Sequence, residues 1–390
     1  MKILMLNNEF PPLGGGTGTV NQAILKHLSS SPDLEIDLIT SSPKNINEYE
    51  AFGKRIDIFK IPVDRFDIHH ASNKELILYA LRSFFLGFRK HREKKYDLCL
   101  AWSAVPAGAS ALALKKISGL PYILRVSGPD IPGFEQRYNN LYPFLKPLIQ
   151  AIWKNAETVI AKCDAEAKMI NDIRPNIKIN IIPNGVDTNQ YFPGEPIPDQ
   201  GPLMLLCVAR LIKRKGQHHL IEAVKRITDQ GVDISLDLVG SGDAEGEYRA
   251  LVESFQVEDR IEFRGYISRE EIRDCYAQAH VFVLPSYNEG MSVATLEAMA
   301  CGLPVIVSRT PGTEELVKEG LNGYTFEWGD VDTLTNLLLI LDSDRALARQ
   351  MAQESRVRAK NFSWESSAEK FDQLFFSQDI PSPYRQQIKS

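Results

Sequence analysis

The chain has 390 residues, of which 44% are hydrophobic and 24% charged, values typical of a globular protein with two or three domains. Its net charge of −5 argues against a nucleic-acid-binding protein, and no apolar run reaches the ~18 residues of a membrane-spanning helix. The five cysteines contain no C-x-x-C pair, which argues against a zinc site or a disulfide framework. The first apolar run is too short for a signal peptide, so we expect a buried first strand and a cytoplasmic protein.

Short apolar runs alternate with amphipathic segments throughout the chain. In the first half, strands are predicted at 2–6, 34–39, 97–101, 121–126 and 158–161, and helices at 17–30, 73–95, 103–118 and 141–156. In the second half, strands are predicted at 203–209, 234–239, 260–263, 281–284 and 304–307, with helices at 216–230, 244–256, 269–279, 292–301 and 313–319. This repeated alternation predicts an α/β protein of two doubly wound, Rossmann-like domains facing each other across a cleft.

The break between the two halves falls in residues 183–202, which contain five prolines and three glycines. That density excludes a regular element, so we expect an N-terminal domain at 1–184, a linker at 185–202 and a C-terminal domain at 203–364. The tail is again helical, and its helix from about 365 is expected to pack back on the first domain. The first half carries a net charge of +6 and the second −11, which suits one domain facing an anionic surface.

The loop PPLGGGTGT at 11–19 follows the first strand and opens a helix. Its glycines let backbone N–H groups approach an anion, and the dipole of the following helix favours a phosphate. The alternative is a glycine-rich turn that allows tight helix packing. The pattern is neither G-x-G-x-x-G nor a Walker P-loop, which disfavours a dinucleotide dehydrogenase and excludes a P-loop enzyme.

A basic segment, RLIKRKG, follows the strand at 203–209. Arg210 and Lys215 would lie at a strand end and a helix start, where they are placed to clamp a diphosphate through charge-assisted hydrogen bonds. The alternative is a solvated basic loop.

Two glutamates lie in the segment PSYNEGMSVATLEAMA. Glu289 is in a loop after the strand at 281–284, and Glu297, eight residues later, is on a helix among apolar side chains. A carboxylate in such surroundings needs a partner, because unpaired burial is costly. The alternative to a ligand-binding role is that both carboxylates satisfy buried backbone donors.

This E-x7-E segment, with RLIKRKG upstream and PNGVD at the predicted linker, resembles the retaining glycosyltransferases of family 4, which have the GT-B fold. The resemblance covers nearly the whole chain. It implies transfer of a sugar from a nucleotide-diphosphate sugar, a UDP- or GDP-sugar, to an acceptor sugar or lipid-linked sugar with retention of configuration. It also implies a role in cell-surface polysaccharide or glycolipid synthesis, with the acceptor on the first domain and the nucleotide sugar on the second.

The resemblance also implies roles for individual residues. Arg210 and Lys215 match residues that bind the diphosphate and stabilise the leaving group, Glu289 matches one that holds sugar hydroxyls, and Glu297 one that holds the ribose diol. The other matched positions contact the donor: Gly15 and Gly16 in the first loop, Tyr266 and Ile267 at the base, and Gly290, Met291, Ser292 and Val293 at the sugar and phosphate. Met291 and Ser292 replace the aromatic residue and glycine often found there, which leaves the sugar contacts open.

One departure concerns the acceptor side, where Ser127 stands at the position of a histidine found in many family members. Asp130 is the nearest ionisable group, and we expect it to hold or orient the acceptor hydroxyl. The alternative is a turn aspartate that caps its own backbone beside Gly128 and Pro129.

No metal or other cofactor is predicted, because Arg210 and Lys215 supply positive charge to the diphosphate. The only D-x-D string, Asp342-Ser343-Asp344, precedes a helical stretch and is interpreted as a helix cap.

Segment 76–95 combines aromatic and aliphatic residues with a basic end. The commoner explanation is a helix that packs on the sheet, and the alternative is a peripheral contact with anionic lipids.

Two other functions stay open: a nucleotide-sugar epimerase on the same fold, and a binding protein that has lost activity. The second would be expected to lack Arg210, Lys215 or Glu289.

Overall fold

A computed structural model describes residues 1–64, 71–132, 134 and 140–377 of the chain. The chain divides into two compact units. Unit 1 contains Met1–Pro183 and the C-terminal segment from Trp364, and unit 2 contains Asn184–Ser363. In the described part of the chain, no helix is both long enough and apolar enough to cross a bilayer.

Unit 1 is built on an eight-stranded sheet with the strand order β3-β4-β2-β1-β5-β6-β7-β8. All neighbouring strands are parallel except β3, which runs antiparallel to β4 at the sheet edge. The strands are β1 Lys2–Leu6, β2 Glu35–Ser41, β3 Glu48–Ala51, β4 Ile56–Ile61, β5 Leu98–Trp102, β6 Tyr122–Arg125, β7 Thr158–Ala161 and β8 Ile179–Ile181. The central strands are almost entirely buried, as expected for a parallel sheet covered by helices on both faces.

The helices of unit 1 connect these strands. They are α1 Gly16–Leu28, α2 Asn73–Lys94, α3 Ala109–Ser118, α4 Tyr142–Asn155 and α5 Asp164–Ile173, joined by the C-terminal helix α13 Trp364–Phe376. Helix α2 begins at a capping box, in which Ser72 and Glu75 each accept from the other's backbone N–H. In α13, Phe371 stacks on Trp102 with the ring centroids 6.2 Å apart, so the end of the described chain packs in unit 1.

The helix predicted at 103–118 is shorter than expected. Residues 103–108 form an irregular turn, and α3 begins only at Ala109. Pro106 explains the difference, because it lacks an N–H donor and its ring clashes with a preceding helical turn.

Unit 2 contains a six-stranded, fully parallel sheet with the order β11-β10-β9-β12-β13-β14. Its strands are β9 Leu203–Val208, β10 Ile234–Val239, β11 Ile261–Gly265, β12 Val281–Leu284, β13 Val305–Ser308 and β14 Gly323–Phe326. Its helices are α6 Gln217–Thr228, α7 Glu245–Phe255, α8 Ile272–Gln278, α9 Val293–Ala300, α10 Thr313–Leu316, α11 Val331–Ser343 and α12 Arg345–Ala359. The prediction of two doubly wound parallel sheets is therefore confirmed.

Residues 185–202 contain no helix or named strand, but they are part of unit 2. Val186, Tyr191 and Ile197 are buried in its core. Val186 also donates from its backbone N–H to the carbonyl of Phe362 at 2.8 Å. The chain thus enters unit 2 after Pro183 and leaves it after Ser363 at neighbouring places.

Candidate active site

The carboxyl end of strand β9 leads into the basic loop 210–216. Its last residue, Gly216, adopts a φ of 70°, and a Cβ there would lie 2.1 Å from the carbonyl oxygen of Pro285, so glycine is required at this contact. The side chain of Gln217, the first residue of α6, donates to the carbonyl of Arg210 at 2.9 Å. These contacts hold the loop between α6 and the segment that follows β12.

Further hydrogen bonds join the basic loop to residues 287–289. The backbone N–H of Tyr287 donates to the carbonyl of Arg214 at 2.8 Å, and the Arg214 guanidinium donates to the carbonyl of Asn288 at 2.7 Å. The structure therefore brings together the RLIKRKG and E-x7-E motifs, which lie far apart in the sequence.

Lys215 and Glu289 form an ion pair at this junction. Only 14% of the Lys215 side chain and 18% of the Glu289 side chain are exposed. Burial acts to raise the pKa of the Glu289 carboxyl, but the charges of Lys215 and Arg214 outweigh it and hold the pKa below its ordinary value. Glu289 is consequently ionised at neutral pH.

The segment after Glu289 is fixed from two sides. The Asn184 side chain, itself buried, donates from Nδ2 to the carbonyl of Met291 at 2.8 Å. On the other side, Gly312 lies so close to Gly290 that a Cβ at position 312 would be 1.4 Å from the Gly290 carbonyl oxygen. Sequence reasoning missed both supports, although Asn184 belongs to the PNGVD motif.

Helix α9 starts at Val293, and Ser292 caps it by accepting from the backbone N–H of Thr295 at 3.2 Å. Met291 is 4% exposed and its side chain is part of the unit 2 core. The buried Met291 side chain is therefore not presented to solvent, and its contribution to a ligand site is confined to the backbone.

Glu297 lies on α9 and is buried beside a different cation. Its Oε1 accepts from Arg269 at 2.9 Å and its Oε2 from the Tyr276 hydroxyl at 3.0 Å. Burial raises the pKa of the Glu297 carboxyl above its ordinary value, although Arg269 and Tyr276 act to lower it. The described partners of both glutamates are side chains, so the interpretation that they satisfy buried backbone donors is not supported.

Arg269 connects Glu297 to the loop after β11, which contains Tyr266 and Ile267. Tyr266 is 68% exposed, whereas Ile267 packs against the unit 2 core. Sequence reasoning did not identify Arg269. The only feature of the sequence that could have indicated its role is its position three residues after Tyr266.

The remaining predicted residues lie in unit 1. Gly15 precedes α1, which begins at Gly16, and a Cβ at either glycine would meet open space. The backbone N–H of Gly15 donates to the Glu9 carboxylate at 3.4 Å. The Glu9 carboxylate therefore already lies at the start of α1, where the helix dipole favours a negative charge.

Asp130 is 4% exposed, and both of its oxygens accept backbone hydrogen bonds. Oδ2 accepts from Ser127 at 2.7 Å and Oδ1 from Val105 at 3.5 Å, which ties together the turns that follow β5 and β6. Burial raises the pKa of Asp130 to about 6, against the opposing effect of these bonds. These contacts favour the capping interpretation over direct contact with an acceptor.

The D-x-D string has a structural role. Asp344 caps α12 by accepting from the backbone N–H of Leu347 at 2.8 Å, and Asp342 forms an ion pair with Arg345. The interpretation of Asp344 as a helix cap is confirmed.

Comparisons with known proteins agree with this architecture. Residues 14–190 match the family described as Glycosyltransferase Family 4, and residues 189–358 match Glycosyl transferases group 1. Together the two models cover residues 14–358, so the chain belongs to the glycosyltransferases that these two families describe.

Relatives match along nearly the whole chain. An uncharacterized glycosyltransferase of Methanocaldococcus jannaschii is 28% identical over 94% of this chain and 95% of its own length. The GDP-mannose-dependent monoacylated alpha-(1-6)-phosphatidylinositol monomannoside mannosyltransferase of Corynebacterium glutamicum is 26% identical over 97% and 98%.

Solved structures show the same fold. Sucrose-phosphate synthase from Thermosynechococcus elongatus has a TM-score of 0.85 at 22% identity and covers 100% of this chain and 99% of its own. Anabaena HepE in complex with UDP and glucose has a TM-score of 0.74 at 20% identity over 96% and 99%. The predicted GT-B fold is thus confirmed.

Proposed function

We propose that this glycosyltransferase moves a sugar from a UDP- or GDP-sugar to a hydroxyl of an acceptor sugar or lipid-linked sugar, with retention of anomeric configuration. The observation that carries the proposal is the buried Lys215–Glu289 pair at the carboxyl ends of β9 and β12. Ligands of doubly wound sheets bind at this edge. The relatives support the choice of donor, since one is named for GDP-mannose and one was solved with UDP and glucose.

On the donor side, Lys215 and Arg210 hold the diphosphate and neutralise the charge that develops on it as the sugar departs. Glu289, ionised beside Lys215, accepts hydrogen bonds from sugar hydroxyls. The backbone N–H groups of the segment Gly290–Val293 contact the sugar and phosphate at the start of α9.

Glu297 holds the ribose diol, and the loop containing Tyr266 and Ile267 contacts the base. Arg269 connects this loop to Glu297, because it lies just after Tyr266 and Ile267 and donates a hydrogen bond to the Glu297 carboxylate. In unit 1, Gly15 and Gly16 leave open space for a ligand at the start of α1. For Asp130 we propose a positioning role, in which it holds the turns after β5 and β6.

Neither alternative function is favoured. The relatives named above are transferases, which argues against an epimerase. A binding protein that had lost activity would be expected to lose Lys215 or Glu289, and these two side chains are in contact.

The donor is tested by a thermal-shift panel of nucleoside diphosphates and their sugars, because a ligand raises the melting temperature by mass action. We expect UDP or GDP, and the matching nucleotide sugar, to raise the melting temperature more than the nucleoside diphosphates of other bases do. Turnover of that nucleotide sugar is then measured with and without acceptor. Equal stabilisation by every base, or an epimerised donor as the only product, would contradict the proposal.

We further propose that the reaction requires no metal ion, because the cationic side chains Arg210 and Lys215 supply the charge at the diphosphate. Activity is expected to persist in EDTA. Complete loss in EDTA, restored by a divalent ion, would contradict this part of the proposal.

A peripheral membrane contact through residues 76–95 is also proposed. Ile77, Leu81 and Phe85 follow each other at four-residue intervals on α2 and are 63%, 54% and 66% exposed. Such a stripe with basic neighbours is typical of helices that lie at a membrane surface. Sedimentation with vesicles is expected to be stronger with phosphatidylglycerol than with phosphatidylcholine alone, and to weaken with salt. Absence of binding to both would contradict it.

A further inference from the structure

A groove of about 860 Å³ lies in unit 1 between the β3–β4 hairpin and helix α2. Its size falls in the range of ligand-binding sites. Tyr49, Phe59 and Phe85 form much of its apolar lining, together with Ile61 and Leu86. Tyr49 and Phe85 are largely exposed, so apolar surface faces the open side of the groove. The sequence analysis did not predict this site, because it assigned neither β3 nor β4 as a strand.

The charges that line the groove are not balanced. Lys60 is paired with Glu50 at 2.6 Å, and Glu48 is paired with Lys44 at 3.1 Å. Arg82 donates to the carbonyl of Pro62 at 2.6 Å, and within the ranges that the structure describes neither Arg82 nor Arg89 has an acidic partner. Among the described residues, the groove therefore carries two positive charges without an acidic partner, both on its helical wall.

The two arginines flank an aromatic side chain. Arg82 and Arg89 are seven residues apart on α2, which is two helical turns or about 10.5 Å along the axis. Phe85 lies between them and continues the exposed stripe that begins at Ile77 and Leu81. A ligand with an anionic group and an apolar body would satisfy both features at once.

We propose that this groove binds the headgroup of an anionic phospholipid, with its phosphate between Arg82 and Arg89 and its glycerol and upper acyl chain on Phe85 and Tyr49. Arginine suits this role because its planar guanidinium forms paired hydrogen bonds to phosphate oxygens. The inference rests on the membrane contact proposed above and gives it a defined ligand and site. It does not depend on any of the residues proposed to bind the donor, because none of them lines the groove.

The test uses the full-length chain and vesicles of phosphatidylcholine with or without phosphatidylglycerol. The doubly substituted variant Arg82→Gln/Arg89→Gln removes the groove charges. The control Lys116→Gln/Lys154→Gln removes the same number of charges from exposed positions on α3 and α4, outside both the groove and residues 76–95. Partitioning is measured by co-sedimentation at fixed ionic strength.

We expect the groove variant to lose about thirtyfold in binding to phosphatidylglycerol vesicles, the effect of two basic residues at an anionic surface. The control is expected to lose less than about threefold. Equal losses in the two variants would show that only the overall charge of the protein matters, and would overturn the inference. Unchanged binding of the groove variant would overturn it as well.

Two further measurements distinguish a lipid headgroup from a free phosphate ester and separate the groove from the donor site. Glycerol 3-phosphate, added without vesicles, is expected to leave the melting temperature unchanged. If it stabilises the wild type but not the groove variant, the site takes a free phosphate ester and the lipid assignment is wrong.

Donor hydrolysis in solution is expected to be the same in all three proteins. A wild type without any nucleotide-sugar turnover would contradict the proposed function while leaving the vesicle result to decide the groove.

Discussion

The two glutamates of the candidate site are eight residues apart, and both are buried beside a cation, but their ionisation differs. At Glu289, the charges of Lys215 and Arg214 outweigh burial and lower the pKa. At Glu297, burial outweighs Arg269 and Tyr276 and raises the pKa. The comparison shows that the number and proximity of cations, and not the E-x7-E spacing, decide how each carboxylate behaves.

The difference suits a division of labour. A carboxylate held ionised next to Lys215, the lysine proposed to bind the diphosphate, is placed to stabilise positive charge that develops on the sugar in the transition state. A carboxylate held by Arg269, beside the loop after β11 that is proposed to contact the base, is placed to bind a part of the donor that does not react. Interactions of the first kind raise kcat, whereas those of the second kind lower KM.

The largest expected effect is at Lys215. Lys215→Ala removes a preorganised charge from the leaving diphosphate, which typically costs ~2.7–4 kcal/mol in the barrier, or about 10²–10³ in kcat. Lys213→Ala is the matched control, because Lys213 belongs to the same basic turn, is 76% exposed and pairs only with the exposed Glu247 among the described residues. Steady-state kinetics of both variants checks this prediction. Near-normal turnover of Lys215→Ala, or an equal defect in Lys213→Ala, would remove Lys215 from the mechanism.

A smaller effect is expected at Asn184, which holds the Met291 carbonyl. Asn184→Ala is expected to lower kcat/KM for the donor about tenfold, since the segment Gly290–Val293 loses a support worth ~1–1.5 kcal/mol. Thr335→Ala is the control: Thr335 is a buried residue of α11 in the same unit and donates to the carbonyl of Val331 at 2.7 Å within that helix. Both variants are expected to unfold more easily, and only Asn184→Ala to change the kinetics. A shared kinetic defect would mean that loss of stability alone explains the result.

The pH dependence of the wild type gives the mildest change. As the pH falls, Glu297 takes up a proton before Glu289, because the first pKa is raised and the second lowered. A protonated Glu297 accepts hydrogen bonds from the ribose less well, so donor KM is expected to rise severalfold at mildly acidic pH while kcat is still constant. Measuring both constants across this range checks the order of the two titrations. A fall in kcat that precedes the rise in KM would reverse the assignment.

The sequence predicted the elements that carry the site better than the contacts that organise it. Strands such as β1, β9 and β12 are continuous apolar runs, and α9 follows a recognisable loop, so the positions of Arg210, Lys215, Glu289 and Glu297 along the fold followed from local pattern. Strand β3, with the sequence EYEA, has no apolar run, because an exposed edge strand does not need one.

The missed supports share a physical reason. Asn184 and Met291 are 107 residues apart in sequence, and Arg269 and Glu297 are 28 apart. Gly312 acts by lacking a side chain at a close backbone contact. For Asp130, the sequence analysis expected contact with the acceptor hydroxyl and kept a backbone cap as the alternative, whereas the structure shows both oxygens accepting backbone hydrogen bonds. Long-range pairing and close packing leave no periodic signal in a single sequence.

The division between the two glutamates is tested most directly by measuring kcat, donor KM and nucleoside diphosphate affinity for Glu289→Gln and Glu297→Gln. Glu289→Gln is expected to lower kcat by at least about tenfold with little change in the affinity for the bare nucleoside diphosphate, because its contact strengthens in the transition state. Glu297→Gln is expected to raise donor KM and weaken nucleoside diphosphate binding by a similar factor, with kcat nearly unchanged. Equal, binding-only defects in both variants, or a loss of stability in both without any separation of these constants, would contradict the account.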